Sequence, residues 1–212
     1  MSIGDDVIQR AEDHLIEFNP AFTNIIHTAG PCTIGSIAER EDPFTSLVNS
    51  IVSQQLSTGA ASTISGRLRI TAGGELSPAT LTALTTDSYR AAGLSGAKTR
   101  TIQGLAQQVA SGELDLAHLS TSAPDDDVMR QLTALWGIGT WTVHMFMIFT
   151  LTRLDVWPVG DLGVRKGWQL IHGRQGDPGQ KEFQTVADAL SPYRSVAAWY
   201  CWRQLEITTN RA

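Results

Sequence analysis

The sequence predicts an all-α protein, and three features of the chain lead to that prediction. Apolar residues recur with the period of a helix throughout, and no segment shows the alternation that is typical of a half-buried strand. Helix-starting pairs such as Asp42-Pro43 precede the apolar stretches. Single glycines such as Gly112 follow them. Because no repeat or linker separates independent domains, residues 1–212 are expected to form one helical unit, two-lobed and without a β domain.

The helices of the first half can be placed from these start and stop signals. Ser77-Pro78 is a predicted helix start, and Thr86-Asp87 is another. The polar segment Gln54–Thr58 breaks the pattern after the third helix, whose apolar stripe is expected to extend to Leu56. Helices are therefore expected over residues 3–18, 20–30, 43–56, 58–70, 78–84 and 86–92.

The second half shows the same kinds of signal. The segment Leu94–Arg100 is interpreted as a turn that feeds a helix ending at Gly112, and Pro124 starts the next helix. Ser191-Pro192 is the predicted cap of the last helix. Later helices are expected over the apolar segment 141–151 and over residues 162–171, 183–190 and 193–207, which makes roughly ten helices in all.

Charge and cysteine content limit the classes of function. The chain has 16 basic and 21 acidic residues, a net charge of −5, which argues mildly against a nucleic-acid partner. A DNA enzyme needs only a local positive face, for which the candidates are Lys98, Arg100, Arg165 and Lys166, with scattered solvated charges as the default alternative. The only cysteines, Cys32 and Cys201, exclude a four-cysteine zinc or iron–sulfur site formed by this chain alone. Both are expected to be buried, reduced thiols.

The apolar segments do not indicate a membrane protein. Acidic residues interrupt any apolar run near the N-terminus, so no signal peptide is recognised. The apolar segment 141–151 is too short to cross a bilayer. A soluble, cytoplasmic monomer with no membrane partner is expected.

The most informative stretch runs from Leu135 to Val164. It opens on a short turn, Gly137-Ile138-Gly139, whose glycines allow close approach of the backbone because they have no Cβ. If a helix begins there, its first N–H groups and its dipole favour an anion such as a phosphate. Asp161 lies near the end of the stretch, just before another predicted helix. It fits a helix N-cap and also a reactive carboxylate, and the two roles are compatible.

Several motifs resemble those of the helix–hairpin–helix DNA glycosylase superfamily. They are LWGIGTWT from Leu135, DVWPVGDLGVR from Asp155, LVNSIVSQQLS from Leu47, GLSGAKTR from Gly93 and PYRSVAAWYCW from Pro192. The order of the hairpin, the acid and the terminal aromatic residues resembles the motif order of the alkylated-base branch, which is the 3-methyladenine DNA glycosylase II group. The resemblance covers most of residues 43–205.

The resemblance implies a two-lobed, all-α, monofunctional DNA glycosylase. Such an enzyme flips an alkylated base, of the 3-methyladenine or 7-methylguanine type, out of double-stranded DNA. Hydrolysis of the N-glycosidic bond then leaves an abasic site for base excision repair. Asp161 takes the position of the catalytic aspartate, which stabilises the sugar cation. Trp141 stands where strand-cutting relatives have a lysine, and tryptophan cannot form a Schiff base, so lyase activity is not implied. The resemblance also implies no cofactor for catalysis.

The resemblance also implies roles for residues in and around the segment 133–165. The base-pocket positions are Trp141, Met145 and Trp202. The positions expected to bind a DNA phosphate are Gly137, Gly139, Trp141 and Thr142. Backbone carbonyls near Thr133, Leu135 and Ile138 correspond to a structural site for a monovalent cation such as Na⁺ or K⁺. Gln55 or Leu56 corresponds to the wedge that fills the gap left by a flipped base, with a plain helix break as the alternative.

Four residues near these positions need separate interpretation. Gly160 stands where many relatives have a second acid, which leaves the assignment of Asp161 intact. Asp155 is a rival acid, for which a structural role is favoured. Trp136 and Trp199 are expected to pack in the core.

Two other classes of function stay open at this point. A non-catalytic helix–hairpin–helix module would bind DNA but would have no need of Asp161. A helical protein-interaction domain would not bind DNA at all, and the acidic composition slightly favours this class.

Overall fold

The computed structural model describes residues 3–36, 41–176 and 179–209. Within these residues the chain forms helices and loops with no β-strand, which confirms the predicted all-α class. The described helices are α1 Asp5–Phe18, α2 Phe22–Ala29, α3 Pro43–Ser53, α4 Thr58–Thr71, α5 Pro78–Ala83, α6 Thr86–Ala92, α7 Gly96–Ser111, α8 Leu116–Thr121, α9 Asp125–Thr133, α10 Thr140–Met145, the π-helical turn Phe146–Thr150, α11 Leu162–His172, α12 Gly179–Thr185, α13 Ala187–Leu190 and α14 Arg194–Thr209. Across the described ranges, none of these helices has the length and apolar character needed to span a membrane.

The chain divides into two compact units. The first unit consists of Met1–Ala38 and Met147–Ala212, and the second consists of Glu39–Phe146. The hairpin and α10 therefore belong to the second unit, whereas Asp161 and α14 belong to the first.

Helix α3 is central to the second unit. Asp42 caps it as predicted, because its carboxylate accepts from the Phe44 and Thr45 amides at 2.9 and 3.1 Å. The apolar side of α3 contacts α4, α7, α8 and α10. Its buried members are Phe44, Leu47, Val48, Ile51 and Val52. The helix ends at Ser53, so the prediction that its buried stripe continues to Leu56 is wrong, and Leu56 is exposed.

Close packing of α11 against α14 organises the first unit. A Cβ on Gly167 would lie 1.9 Å from the carbonyl oxygen of Cys201, so only glycine permits this approach. An aromatic cluster packs beside this contact, in which the rings of Trp157, Phe183 and Trp168 contact one another at centroid distances of 4.6, 5.8 and 6.1 Å. The two helices are thereby held in one register.

Helix starts in the middle of the chain differ from the prediction. Helix α7 begins at Gly96, inside the predicted turn, because Ser95 caps it by accepting from the Lys98 amide at 3.3 Å. Helix α6 is capped by Thr85 and not by Thr86-Asp87. The short helix α8 was not expected, and the Asp115 carboxylate caps it by accepting from the His118 amide at 2.9 Å.

Two further differences lie near the C-terminus. The prediction that Ser191 caps the last helix is wrong: α14 begins at Arg194, whose amide donates to the Asp155 carboxylate at 3.4 Å, and the Ser191 hydroxyl donates to the same carboxylate at 2.9 Å. The helix expected over residues 183–190 is divided at Val186 into α12 and α13. A single apolar stripe can therefore be shared by two short helices.

We expect Gly167→Ala to lower the free energy of unfolding by about 2 kcal/mol or more, because the added methyl overlaps the Cys201 backbone. Gly104 lies in the interior of α7 with open space where a Cβ would stand, so Gly104→Ala is the matched control. That control should raise stability by about 0.5–1 kcal/mol through helix propensity alone. Urea unfolding followed by circular dichroism measures both, and equal effects would contradict the packing described.

Candidate functional site

Asp161 caps α11 and is held from two sides. Its amide donates to the Pro158 carbonyl at 2.8 Å, which closes the turn before the helix. Its Oδ1 accepts from the Val164 amide at 2.8 Å and from Trp202 Nε1 at 3.0 Å. With 8% of its surface exposed, the residue has little conformational freedom. The structure therefore confirms the capping role and brings Trp202 to the predicted catalytic acid.

Gly163 allows the Trp202 indole to approach Asp161. A Cβ at this position would lie 3.1 Å from both Asp161 Oδ1 and Trp202 Cδ1. On another side of the indole, the exposed ring of Phe149 lies 5.5 Å from Trp202, centroid to centroid. Phe149 belongs to the π-helical turn, a feature that often occurs at functional sites. Phe149 could not be predicted from the sequence, because an apolar run does not show which of its residues a π-helical turn exposes.

The rival acid Asp155 is part of an ion pair. Arg194 donates to its two carboxylate oxygens at 2.6 and 2.8 Å. Burial alone would raise the pKa of Asp155, but hydrogen bonds from Arg194 and Ser191 outweigh it, so this pKa lies below its ordinary value. The arrangement agrees with the structural role favoured for Asp155.

Ser195 anchors the loop that leads towards Asp161. Its buried hydroxyl accepts from the Val156 amide at 3.0 Å and donates to the Arg153 carbonyl at 2.7 Å. Its amide donates to the Leu154 carbonyl at 2.9 Å. Ser195 therefore fixes the loop that precedes Asp161 to the N-terminal end of α14.

The predicted hairpin is present in the second unit and opens α10. Gly137 has a φ of +83°, and a Cβ there would lie 2.1 Å from Thr101 Oγ1. Glycine is therefore favoured both by the backbone conformation and by the lack of space for a side chain. Ile138 is buried, and its amide donates to the Leu135 carbonyl at 3.1 Å. Gly139 is exposed and precedes the first turn of α10, where a helix presents N–H groups to an anion.

Gln54 connects the hairpin to the segment after α3. Its Nε2 donates to the Gly137 carbonyl at 3.2 Å and to Thr142 Oγ1 at 3.0 Å. Thr142 is buried, so its side chain holds the hairpin to this segment and does not face solvent. From the sequence, Gln54 was only part of a predicted helix break, because its partners lie more than eighty residues away.

Lys98 stabilises the same segment from the other side. Its ammonium group donates to the carbonyls of Val52 and Gln54, each at 2.7 Å. These carbonyls lie at the C-terminus of α3, where a helix has acceptors without intrahelical partners. Burial lowers the pKa of Lys98 from its ordinary value. Lys98 therefore acts inside the fold, whereas the sequence suggested a surface cation.

Gln55 and Leu56, the two candidate wedge residues, line different cavities. Gln55 has a φ of +59°, unusual for a residue with a side chain, and lines a small cavity of about 160 Å³ with Ser95 and Trp136. Leu56 is 40% exposed and, together with Trp141, lines a cavity of about 570 Å³ between α3 and α4. Leu56 therefore has the exposed apolar surface that a wedge requires.

The three predicted base-pocket residues are placed as follows. Trp141 is 38% exposed and Met145 is half-buried, both on α10 in the second unit. Trp202 is half-buried on α14 in the first unit and bonded to Asp161. Their common contact with a base stays a prediction.

Of the remaining expectations, those for Trp199 and the cysteines are confirmed and that for Trp136 is wrong. Trp199 is buried. Cys32 and Cys201 are buried and free, and burial raises the pKa of Cys32 to about 12, so this thiol stays protonated near neutral pH. Trp136, expected in the core, is exposed.

Comparison with known proteins places this chain in a family. Residues 48–192 match the HhH-GPD superfamily base excision DNA repair proteins. The chain belongs to this superfamily. It is similar to a DNA-3-methyladenine glycosidase from Bacillus halodurans, with 37% identity, a TM-score of 0.80 and coverage of 94% of this chain and 91% of that one.

Two matches come from Schizosaccharomyces pombe. One is a structure of a 3-methyladenine DNA glycosylase in complex with abasic DNA, with 28% identity, a TM-score of 0.83 and coverage of 91% of this chain and 95% of that one. The other is DNA-3-methyladenine glycosylase 1, 28% identical over 198 residues, which are 92% of this chain and 87% of that one.

Membership of the HhH-GPD superfamily confirms the resemblance seen in the motifs. The matched range contains the hairpin, the segment 54–57 and Asp161, whereas Trp202 lies beyond its end. The alternative of a protein-interaction domain that does not bind DNA is inconsistent with membership of a base excision repair family.

We expect Lys98→Met to lower the free energy of unfolding by about 1–3 kcal/mol, because two carbonyls at the end of α3 lose a charged donor. Lys166→Met, on the exposed side of α11, is the matched control and should change stability by less than about 0.5 kcal/mol. Guanidinium unfolding measures both. A Lys98→Met protein as stable as the control would contradict the role described for this amine.

Proposed function

We propose that this protein is a monofunctional DNA glycosylase that removes alkylated bases, of the 3-methyladenine or 7-methylguanine type, from double-stranded DNA and leaves an abasic site. The observation that carries the proposal is the buried Asp161 carboxylate, which the Val164 amide and the Trp202 indole orient. A module that only binds DNA has no need of an acid held beside an aromatic side chain. The names of the similar proteins support the same activity.

The proposed chemistry uses Asp161 to stabilise a sugar cation. As the bond between the base nitrogen and sugar C1′ breaks, its electron pair leaves with the base and positive charge develops on the sugar. A nearby carboxylate lowers the energy of that state. A water oxygen then forms the new bond to C1′ and loses a proton, which leaves a hydroxyl on the sugar. A base alkylated at a ring nitrogen is cationic and becomes neutral on departure, so no acid has to protonate it.

Aromatic and thioether side chains are proposed to recognise the flipped base. A cationic base is attracted to the faces of indole rings, and Trp202 and Trp141 offer such faces. Met145 offers a polarisable sulfur, and the exposed Phe149 ring extends the apolar surface beside Trp202. Selection would then favour electron-poor bases that are weakly held in the duplex.

The second unit is proposed to hold the DNA. Amides of the hairpin at Gly137, Gly139 and Trp141 bind a backbone phosphate, and Leu56 enters the stack as the base leaves it. Backbone carbonyls of Thr133, Leu135 and Ile138 are hard oxygen donors of the kind that suit Na⁺ or K⁺. A cation held by them would add positive charge at the hairpin.

We expect Asp161→Asn to slow single-turnover base release from a 7-methylguanine duplex at least about 100-fold, because the charge that stabilises the sugar cation is lost. Asparagine is as good an N-cap as aspartate and keeps an oxygen for the Val164 amide, so the variant should remain folded.

The control for Asp161→Asn is Asp115→Asn at the N-cap of α8, which makes the same chemical change at a cap with the same kind of bond. This control should release the base at the wild-type rate. Base release by Asp161→Asn as fast as by the wild type would refute the proposed role of Asp161. Absence of base release by the wild type itself would favour a non-catalytic DNA-binding module.

We expect the DNA strand to stay intact after base release, because tryptophan at position 141 cannot form a Schiff base. Gel electrophoresis should show cleavage only after treatment with heat and alkali, and borohydride should trap no covalent complex. A bifunctional glycosylase run in parallel confirms that trapping works. A trapped adduct of this protein would mean that another amine of the chain attacks the sugar.

A further inference from the structure

Trp136 and Arg100 form an exposed stacked pair beside the hairpin. Trp136 is 51% exposed, and the guanidinium carbon of Arg100 lies 4.2 Å from the centroid of its ring. A tryptophan that stabilises the core would be buried, and this one leaves an apolar face at the surface. Neither the hairpin amides nor the proposed chemistry at Asp161 uses this pair.

Chain geometry places the pair next to the proposed phosphate-binding amides. Trp136 directly precedes Gly137, and consecutive Cα atoms are about 3.8 Å apart. Arg100 directly precedes Thr101, whose side chain contacts Gly137. Helix α7 therefore contacts the hairpin at two adjacent positions, by packing at Gly137 and by stacking at Trp136.

Arg100 remains able to bind an anion in this arrangement. Among the described residues, no carboxylate lies within ion-pair distance of it, in contrast to Arg90 and Arg130. The indole covers one side of the guanidinium, and a guanidinium carries five N–H donors that can bind an anion. A shallow groove of about 290 Å³ lies beside the pair, and no acidic residue lines it. Its polar members are Arg100, Thr101, Gln103, Gln107 and Gln108.

We propose that Arg100, held on Trp136, forms a second phosphate-binding site for the strand that the hairpin amides contact. This inference rests on the proposed DNA-glycosylase function. Consecutive phosphates of one strand are a single nucleotide apart, so a phosphate bound at the hairpin brings a neighbouring one within reach of a long side chain beside the hairpin. The indole holds the guanidinium in one orientation, which reduces the entropy lost when the phosphate binds.

Salt dependence of DNA binding tests this proposal. The probe is a duplex with a stable abasic-site analogue, and fluorescence anisotropy measures its affinity between about 50 and 200 mM KCl. Arg100→Gln should lose one phosphate contact. The negative slope of log K against log salt should therefore become less steep by about 0.9. Trp136→Ala keeps the charge but loses the stacking, so affinity should fall about threefold. Trp136→Phe should restore most of that loss.

Arg90→Gln is the matched control, because it removes the same charge from an exposed helix of the same unit where Asp87 already pairs with it. Its salt slope should stay within about 0.3 of the wild-type value. If Arg100→Gln gave the slope of this control, or if Trp136→Ala bound as tightly as Trp136→Phe, the proposal would be overturned. Failure of the wild-type protein to bind the duplex or release a methylated base would instead refute the proposed function.

Discussion

Close contact between α11 and α14 determines the geometry around Asp161. Gly167 leaves room for the Cys201 backbone, and this fixes the register of the two helices. Trp202 follows Cys201 and reaches the acid at the start of α11. The N-terminus of α14 also binds the preceding loop through Ser195. One helix therefore positions both the acid and the chain that leads to it.

The second unit uses polar contacts where the first uses a helix–helix contact. Early residues of α7 stabilise two other segments: Lys98 binds the carbonyl end of α3, and Thr101 packs against the hairpin glycine. Gln54 joins those two segments directly. A phosphate contact at the hairpin and a wedge after α3 would thus share one support, although from more than thirty to more than eighty residues separate these partners in sequence.

Sequence alone predicted many of the features that depend on neighbouring residues, although the local caps of α6, α7 and α8 were misplaced or missed. Asp42 and Asp161 were identified as caps because a cap bonds to an amide two or three residues away. The helical class followed from the period of apolar residues. Features that depend on distant partners were missed or wrong: Ser191 bonds to Asp155, and Lys98 turns inward to α3. The exposure of Trp136 was also missed, since an indole fits a core and a surface stack equally well.

The acidic composition gives the stacked pair of Arg100 and Trp136 a kinetic consequence. With a net charge of −5 the protein is repelled by DNA on average, over a range of about 10 Å at 0.1 M salt. In the proposed arrangement, attraction comes from a few groups at contact, among them Arg100 on the Trp136 ring. A glycosylase built in this way would leave undamaged duplex quickly, because few counterions would be released per encounter. Its time on DNA is then governed by whether a base can be captured, so the scarcity of positive charge itself helps to separate damaged from normal sites.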